Sequence, residues 1–226
     1  MKDLFYKPFK VNAKEEEICF WSDLHYGHNP IKWDIPLWER RGFDSVDQHD
    51  RILIERWNNK VSQEATAFHL GDIIFGYDGL ARLKNLLNRL NFKELYLLPG
   101  NHVGGFHQLL NELEENIYQI HENKKVILCP NYIEAYCNGI PFVLSHYAIA
   151  SFNGQGKGNC IHLHGHSHGS LYDSELGKLL YKAKIMDVGV EVCPEPLNLK
   201  EIKNKFKNYD GASFDHHGKQ TENPFG

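Results

Sequence analysis

Long apolar runs are absent from this sequence. No stretch reaches the roughly 18 apolar residues that a membrane span needs, and the opening segment, MKDLFYKPFKVNAKEEE, contains no apolar run of signal-peptide length. Basic charge is not in excess either, since 25 Lys and Arg face 29 Asp and Glu for a net charge of −4. These absences argue against a membrane protein and against avid, non-specific binding of duplex DNA through its phosphates.

Several signatures of common enzyme classes are also missing. The chain has no Walker A sequence and no G-x-S-x-G elbow, which argues against a P-loop nucleotide site and a serine hydrolase. The glycine-rich stretch SFNGQGKGN at 151–159 is therefore interpreted as a plain connection, with a substrate loop that uses Lys157 as the alternative. The five cysteines form no C-x-x-C pair, which argues against a thiol nucleophile and predicts reduced thiols in the cytoplasm.

The pattern that remains predicts an α/β fold. In the first half, strand-like runs lie at 17–21, 64–70 and 94–98. Helix-like segments alternate with them at 45–61, at 79–91 and from about Phe106. After about residue 117 the strand-like runs KVILC, YIEAY, PFVLS, CIHLHG and KIMDVGV follow one another closely. We expect one sheet-centred domain over 1–207, with a last helix at 197–206, and a C-terminal tail over 208–226.

Histidine is abundant, with 14 residues, and many of them follow a strand-like run directly. In open α/β sheets, ligands bind at the carboxyl ends of the strands. Five predicted strand ends carry the polar residues Asp23, His25, Asp72, Asn101, His102, His146, His166 and His168. The sequence therefore predicts a single polar rim.

The chemistry of this set predicts two transition-metal ions. Imidazole combined with carboxylate and amide oxygen suits Mn, Fe, Zn, Co or Ni better than Ca or Mg. Eight such groups exceed the need of one ion and suit two ions that share a ligand, an arrangement that activates water and clamps a phosphoryl group. In Asp23-x-His25 and His166-x-His168, the paired side chains share one face of an extended chain.

The ordered motifs resemble those of the calcineurin-like metallophosphoesterases. They are Asp23-x-His25, Gly71-Asp72, Gly100-Asn101-His102, His146 and Gly165-His166-x-His168, and they extend over roughly residues 17–190. The segments SDLHYGHNPIKW, HLGD and DVGVE are similar to small single-domain members encoded by phages and bacteria. The resemblance implies a sandwich of two mixed β-sheets flanked by α-helices.

The resemblance also implies a role for each residue. One metal would be held by Asp23, His25 and His168. The other would be held by Asn101, His146 and His166, with Mn²⁺ as the first choice for both ions. Asp72 would bridge the two together with a hydroxide that attacks phosphorus. His102 would protonate the leaving oxygen or stabilise charge on the phosphoryl group.

Two positions depart from the family pattern. The acidic residue that usually follows Gly-Asn-His is replaced by Val103, although such an acid orients the histidine and raises its pKa. The form G-D-x-x-[DN] is also absent, because Ile73, Ile74 and Phe75 follow Asp72 and Gly76 comes next. The metal ligands are unaffected by the second change, whereas the first bears on the acid role of His102.

The expected activity is that of a phosphodiesterase on a small phosphoester or nucleotide diester, since no cap domain is evident in the sequence. A phosphomonoesterase, a single-strand nuclease with single-stranded nucleic acid as its partner, and an inactive metal-binding scaffold remain alternatives. A protein Ser/Thr phosphatase ranks lower because the chain is short. The sequence does not indicate an oligomeric state.

The other histidines and two arginines give weaker signals. His28 is either a site residue or a loop-surface residue. Buried structural positions are expected for His69, His162 and His164. Surface positions are expected for His49, His121, His216 and His217. His107 either lies on a helix surface or supports a metal ligand through a contact. Of Arg40 and Arg41, one contacts the phosphate of the substrate, or both form a solvated charge pair.

Overall fold

The computed structural model describes residues 7–30, 35–76, 79–209 and 213–214. Within these ranges the chain forms eleven β-strands, six α-helices and two short 3-10 helices. The strands are β1 Phe9–Val11, β2 Ile18–Trp21, β3 Thr66–His69, β4 Glu94–Leu97, β5 Ile117–His121, β6 Lys124–Leu128, β7 Tyr132–Cys137, β8 Ile140–Ser145, β9 Ile161–His164, β10 Ile185–Asp187 and β11 Leu197–Asn198. The α-helices are α1 Leu37–Arg40, α2 Val46–Lys60, α3 Gly79–Arg89, α4 Gly104–Asn111, α5 Glu175–Lys182 and α6 Leu199–Phe206. The 3-10 helices are Glu15–Glu17 and Gln155–Lys157.

Two mixed β-sheets form the centre of the molecule. The six-stranded sheet has the order β11-β2-β3-β4-β6-β5, in which β2, β3, β4 and β6 run parallel. The five-stranded sheet has the order β1-β7-β8-β9-β10, in which β8, β9 and β10 run parallel. The expectation of an α/β fold with two mixed sheets flanked by helices is therefore confirmed.

The two sheets pack face to face through aromatic side chains. Phe20 on β2 stacks on Phe68 of the adjacent strand, with 5.1 Å between ring centroids, and on Phe142 of the other sheet at 5.2 Å. Every residue of β2 is buried, which explains why its sequence is apolar throughout rather than alternating. This packing fixes the relative position of the strand ends, where the predicted polar residues lie.

Helix α2 begins where the sequence predicts. The Ser45 hydroxyl accepts a hydrogen bond from the backbone N–H of Gln48 at 3.2 Å, which satisfies one of the free donors of the first turn. The Gln48 side chain accepts from the N–H of Asp44 rather than from that of Ser45. The predicted capping box is therefore half formed, with the N-cap in place and the reciprocal bond shifted by one residue.

The structure contains elements that the sequence pattern did not predict, namely β1, β5, β11, α1 and α5. Helix α5 lies in the half of the chain that was expected to be mostly sheet, and Leu180 is its buried residue while Leu176 and Leu179 are exposed. The predicted last helix, 197–206, begins instead at Leu199, where Asn198 and Glu201 form a complete capping box.

The predicted tail, 208–226, lies largely outside the described residues, which include only 208, 209, 213 and 214 of it. His216 and His217 are among the positions that are not described. Among the helices that are described, none combines the length and apolar character that crossing a membrane requires.

Candidate metal centre

The carboxyl ends of β2, β3 and β4 lie at the same rim as those of β8 and β9, because the strands within each set run parallel. The loops that follow these strands are hydrogen-bonded to each other. The N–H of His25 donates to the carbonyl of Asp72 at 2.9 Å, and the N–H of Gly165 donates to the carbonyl of His146 at 3.0 Å. These main-chain bonds order the loops of each sheet, and the N–H of His166, which donates to the carboxylate of Asp23 at 3.0 Å, joins the loops of the two sheets at one rim.

The backbone at this rim adopts a conformation that most residues avoid. Seven non-glycine residues of the described chain have a left-handed φ, and five of them are predicted site residues. The five are Asp23 (φ 62°), His25 (49°), Asp72 (51°), His166 (69°) and His168 (46°). Such strain costs about 1–3 kcal/mol for each residue and clusters at functional sites. The expectation of an extended chain at Asp23-x-His25 and His166-x-His168 is therefore wrong, and the concentration of strain supports the rim as the candidate site.

Two glycines are required because carboxylates approach their backbone closely. A Cβ at Gly100 would collide with the carboxylate of Asp72. A Cβ at Gly165 would collide with the carboxylate of Asp23 and with the hydroxyl of Ser22. At both glycines, the group that approaches the backbone is the carboxylate of a predicted metal ligand.

One group of ligands, which we call the Asp23 side, consists of Asp23, His25 and His168. Their donor atoms all lie within 4.8 Å of one another, close enough to hold a single ion. Nε2 of His25 lies 3.8 Å from Oδ1 of Asp23 and 3.5 Å from Oδ2 of Asp72. Asp72 therefore borders this group as well.

The surroundings of His25 show whether these residues suit a metal ion. Its side chain is 3% exposed, and neither ring nitrogen has a hydrogen-bond partner in the described structure. Burial lowers the pKa of His25 well below its usual value, so the ring is neutral with a free lone pair near two carboxylates. A buried polar atom without a partner is costly, and a divalent cation would supply that partner.

A second group, the Asn101 side, consists of Asn101, His146 and His166. Oδ1 of Asn101 lies 3.0 Å from Nε2 of His146 and 2.9 Å from Nδ1 of His166. Nε2 of His146 also lies 3.4 Å from Oδ2 of Asp72. Asp72 thus lies between the two sides, as the resemblance implies for a bridging ligand.

The orientation of His146 leaves one nitrogen for a metal or a proton. Nδ1 lies 2.9 Å from the carbonyl of Leu70, which can only accept, so Nδ1 carries a hydrogen and Nε2 faces Asp72 and Asn101. Burial lowers the pKa of His146, but the hydrogen bond to Asp72 and the charges of Asp72 and Asp23 together outweigh it and raise the pKa overall. A proton and a metal ion therefore compete for the same nitrogen.

The two buried carboxylates differ in their electrostatics. Burial raises the pKa of Asp23 to about 6, although His146 and His168 counteract it. Burial also acts to raise the pKa of Asp72, but the hydrogen bond from His146 and the nearby His25 lower it well below its usual value. Asp72 is thus ionised at neutral pH, and two carboxylates this close favour a bound cation.

His102 lies beside the ligands on the Asp72 side of the rim. Its backbone N–H donates to Oδ1 of Asp72 at 2.9 Å, and Nε2 of its ring lies 3.9 Å from Oδ2 of the same carboxylate. The ring is 31% exposed and packs edge-on against His25 and Phe75. The following Val103 is the N-cap of α4 and contributes no side-chain hydrogen bond, so no acid at that position orients the ring. A ring nitrogen of His102 lies within 4.8 Å of the donor atoms of His25 and Asp72, so the geometry also allows His102 to act as a metal ligand.

The Asp23 side is held by a partly buried network that we call the brace, made of Arg41, Glu191, His49 and Asp50. Nη2 of Arg41 donates to the carbonyl of Asp23 at 2.7 Å, and Nε donates to Oε1 of Glu191 at 2.9 Å. The same Oε1 lies 2.7 Å from Nδ1 of His168. Because a carboxylate accepts there, Nδ1 of His168 carries a hydrogen and Nε2 is left for a metal.

The brace continues through a residue whose expected surface position was wrong. His49 is fully buried rather than exposed, with Nε2 at 2.9 Å from Nη1 of Arg41 and Nδ1 at 2.8 Å from Oδ1 of Asp50. Both oxygens of Asp50 accept from the N–H of Gly27. His49 is buried because it connects two charged groups around the loop that carries Asp23 and His25.

Sequence reasoning did not identify Glu191 or the positioning role of Arg41. Glu191 follows the end of β10, and the strand-end rule that identified the other site residues would have found it. Arg41 and Glu191 are 150 positions apart in sequence, so their pairing has no local signal. Of Arg40 and Arg41, Arg41 is therefore not free to contact a substrate phosphate, because its guanidinium already binds groups of the protein.

The Asn101 side is held differently, by neutral groups. The loop that follows His146 is anchored by His162, whose Nε2 accepts from the N–H of Ile149 at 3.0 Å. Nδ1 of His162 lies 3.0 Å from the carbonyl of Val143. The exposed ring of Tyr147 packs against His166, with 4.5 Å between centroids. Asn101 and His166 are themselves exposed.

The other predicted histidines fall into three groups. His69, His162 and His164 are buried, as expected, and both ring nitrogens of His69 lack a hydrogen-bond partner among the described residues. His121 is exposed, as expected, and His107 is exposed as well. His28, left open by the sequence, is buried and lies at the rim, where its Nδ1 accepts from the N–H of Leu37 at 3.3 Å.

Comparisons with known proteins assign the fold but no activity. No family model matches the chain. It is 29% identical over 183 residues to the uncharacterized protein MJ1445 of Methanocaldococcus jannaschii, which covers 80% of this chain and 86% of that protein. It also resembles the crystal structure of the protein of unknown function AQ665 from Aquifex aeolicus, with a TM-score of 0.56 and 19% identity, covering 83% of this chain and 97% of that chain. The likeness to AQ665 is one of fold alone.

Proposed function

We propose that this protein is a dinuclear metal-dependent phosphoesterase of the metallophosphoesterase superfamily, with the sandwich architecture of that superfamily. The substrate class is a small or nucleotide phosphodiester. The observation that carries the proposal is the convergence of predicted ligands from both sheets around His25, whose buried ring nitrogens have no partner in the described structure. The cytoplasm is the proposed compartment, because all five cysteines are free and buried.

Seven side chains would hold two divalent transition-metal ions, with Mn²⁺ as the first choice. They are Asp23, His25 and His168 on one side, Asn101, His146 and His166 on the other, and Asp72 between them. When bound, the ions would supply an activated water nucleophile and positive charge for the phosphoryl oxygens. The left-handed backbone and the brace would keep these side chains in place during the reaction.

His102 is the proposed proton donor. In the hydrolysis, a water oxygen bonds to phosphorus, the bond from phosphorus to the leaving oxygen breaks, and the leaving oxygen takes a proton from the imidazolium of His102. Its backbone bond to Asp72 keeps the ring beside the bridging carboxylate, while its partial exposure lets it reach a substrate. The water proton passes to solvent, and His102 is reprotonated from solvent.

The charge balance at the rim supports a diester over a monoester. A phosphomonoester carries about −1.5 to −2 charges near neutral pH, whereas a diester carries one. Two arginines lie beside the ligands, and Arg41 is neutralised by Glu191 at 2.8 Å. Arg40 then remains as the single unpaired arginine among the described residues that line this space. The protein therefore adds little positive charge to that of the proposed ions, which favours the diester because it carries the smaller charge.

One observation favours a second candidate, an inactive metal-binding scaffold. The ring of His102 has no hydrogen-bonded acid in the described structure, and Val103 stands where such an acid would be expected. A scaffold would bind both ions and turn over no phosphoester. A phosphomonoesterase and a single-strand nuclease remain alternatives, and the preferred substrate distinguishes each of them from a phosphodiesterase that acts on small molecules.

The proposal is tested by turnover of bis-p-nitrophenyl phosphate beside p-nitrophenyl phosphate with Mn²⁺. We expect the diester to be preferred, and Asp72→Asn to lower its turnover on the order of 1000-fold, because Asp72 would be the ligand common to both ions. Asp47→Asn is the matched control, since Asp47 is an exposed carboxylate on α2. It should retain wild-type turnover.

Metal content should be measured on the same samples. Two bound ions without turnover of either ester, on wild type and variant alike, would favour the scaffold. Preference for the monoester would identify a phosphatase. Turnover that survives Asp72→Asn unchanged would rule out the dinuclear mechanism proposed here.

A further inference from the structure

A pocket of about 450 Å³ opens beside the metal centre on the Asp23 side. Its lining includes the site residues His25, His102 and His168 and, from the segment around α1, Ile35, Leu37 and Arg40. The volume lies in the range of roughly 300–1,000 Å³ that is typical of small-molecule sites. An aryl group or a nucleoside can therefore be accommodated directly beside the candidate ligands.

The two arginines of this pocket differ in what they already bind. Arg41 donates to the carbonyls of Asp23 and Leu24 and to Glu191, and its side chain is 5% exposed. Arg40 is exposed, and its side chain forms no hydrogen bond or ion pair with any residue that the structure describes. Arg41 is thus used for structure, and Arg40 is available to a ligand.

The position of His102 decides which part of a phosphoester would occupy the pocket. A general acid must lie within hydrogen-bond reach of the oxygen that it protonates. His102 lines the pocket, so the group bonded to that leaving oxygen extends into the space between His102 and the segment around α1. The other substituent of the diester would lie outside this pocket, toward the Asn101 side of the centre, where the exposed ring of Tyr147 packs against His166.

We propose that this pocket binds the leaving group of the substrate, and that Arg40 selects leaving groups that combine an apolar ring with a negative charge of their own. Ile35 and Leu37 provide the apolar contact, and the guanidinium of Arg40 binds a carboxylate or a second phosphate in bidentate fashion. A nucleotide belongs to this class. The inference rests on the phosphoesterase function for the bond that is broken, while the binding preference can be measured without turnover.

The test uses two synthetic diesters that differ in one charge. Both are methyl phosphates, and their leaving groups are 5-hydroxy-2-nitrobenzoate and the corresponding uncharged carboxamide, which are released as coloured phenols. We expect the ratio of kcat/KM values, charged over uncharged, to fall roughly tenfold in Arg40→Gln, the effect of one charged hydrogen bond at an exposed position. Arg40→Lys should retain part of the preference.

Arg51→Gln is the matched control, because Arg51 is an exposed arginine on α2 that pairs with Glu55. Its ratio should equal that of the wild type. Because both diesters are measured on the same sample, their kcat/KM ratio does not depend on the metal content of that variant. The two leaving groups differ in acidity, but this difference is the same for every variant and cancels when ratios are compared. An unchanged ratio in Arg40→Gln overturns the assignment, as does an equal fall of the ratio in Arg51→Gln.

The failure of the phosphoesterase function would be recognised separately. If neither ester is hydrolysed faster by the Mn²⁺-loaded wild type than by Asp72→Asn, that function fails. Calorimetric binding of the two free phenols to the same Mn²⁺-loaded protein then tests the pocket by itself. Tighter binding of the carboxylate that is lost in Arg40→Gln supports the charge selection, and equal binding of both phenols overturns it.

Discussion

The two sides of the candidate metal centre are held by opposite kinds of interaction. On the Asp23 side, ionised groups form the brace, in which the side chains of Arg41 and Glu191 are 5% and 20% exposed. On the Asn101 side, the supporting contacts are a neutral histidine, a carbonyl and an aromatic ring. The comparison teaches that charged protein groups set the geometry of the Asp23 side, whereas the geometry of the Asn101 side has weaker support from the protein and would depend more on any ion bound there.

The charge states of the supporting groups follow from their surroundings. Burial acts to raise the pKa of Glu191, but its bonds to His168 and Arg41 outweigh this and lower the pKa to about 2. Burial lowers the pKa of His162 to about 3, with a further contribution from His164. At neutral pH the brace is therefore charged, and the anchor of the opposite loop is neutral.

The largest effect is expected from breaking the brace at its centre. Arg41→Met keeps the apolar stem and removes every hydrogen bond of the guanidinium, which leaves Glu191 buried with less compensation and the carbonyls of Asp23 and Leu24 without their donor. We expect the free energy of unfolding to fall by about 3–5 kcal/mol. Chemical denaturation in EDTA measures this without a contribution from metal.

The control for Arg41→Met is Arg51→Met, which removes an exposed ion pair with Glu55 and should cost less than about 0.5 kcal/mol. If the two variants are equally stable, the brace contributes no more than a surface pair, and the distinction between the two sides of the centre is lost.

A smaller effect is expected from Glu191→Gln, which keeps the size of the side chain and removes its charge. The carboxylate fixes the hydrogen of His168 on Nδ1, so its loss should weaken one of the two Mn²⁺ binding steps by about 10–100-fold. Titration calorimetry resolves the two steps. Glu195→Gln, an exposed carboxylate paired with Lys60, should leave both unchanged. Equal weakening of both steps would show that Glu191 does not act on one side alone.

Site residues were predictable where their position depends on neighbours in sequence, and not where it depends on contacts between residues far apart in sequence. Strand ends carry their own signal, because an apolar run that stops at Asp23 or Asp72 places that residue at the rim whatever the rest of the chain does. All seven predicted ligands and His102 do lie together. The brace carries less signal. His49 lies one turn before Leu53 on the buried face of α2, so helical spacing does indicate its burial, but its contacts with Arg41 and Asp50 follow from no local pattern.

The fold shows the same limit. Helices α2 and α3 were predicted because their apolar residues repeat at helical spacing and are buried. Helix α5 has exposed leucines and was missed, and β1 pairs with β7 across more than a hundred residues, a contact that no local pattern encodes. The left-handed φ values of the ligands were not predictable from residue type, because tertiary contacts impose them.

The Asn101 side should respond to acid through His162. Its folded pKa of about 3 lies below the usual 6.5, so between these values the unfolded chain binds a proton that the folded chain does not. Its stabilising contribution is thus complete above about pH 6.5 and is lost toward pH 3, by up to about 1.4 kcal/mol per pH unit. The stability gap between wild type and His162→Gln, measured in EDTA, should narrow over this window.

His121→Gln provides the control for that pH series, since His121 is exposed on β5. Its denaturation midpoint should follow the wild type at every pH. A gap between wild type and His162→Gln that stays constant from pH 7 to pH 4 would mean that His162 does not titrate differently in the folded and unfolded chain.

The smallest effect is expected at Tyr147, whose ring packs against His166 on the exposed edge of the Asn101 side. Tyr147→Leu removes an aromatic contact worth about 0.5–1.5 kcal/mol, so the Mn²⁺ step that Glu191→Gln leaves intact should weaken a few-fold. Tyr147→Phe keeps the ring and should bind like the wild type. If both substitutions weaken the same step as Glu191→Gln, the ions are coupled so strongly that the two sides form one site, and the comparison between them fails.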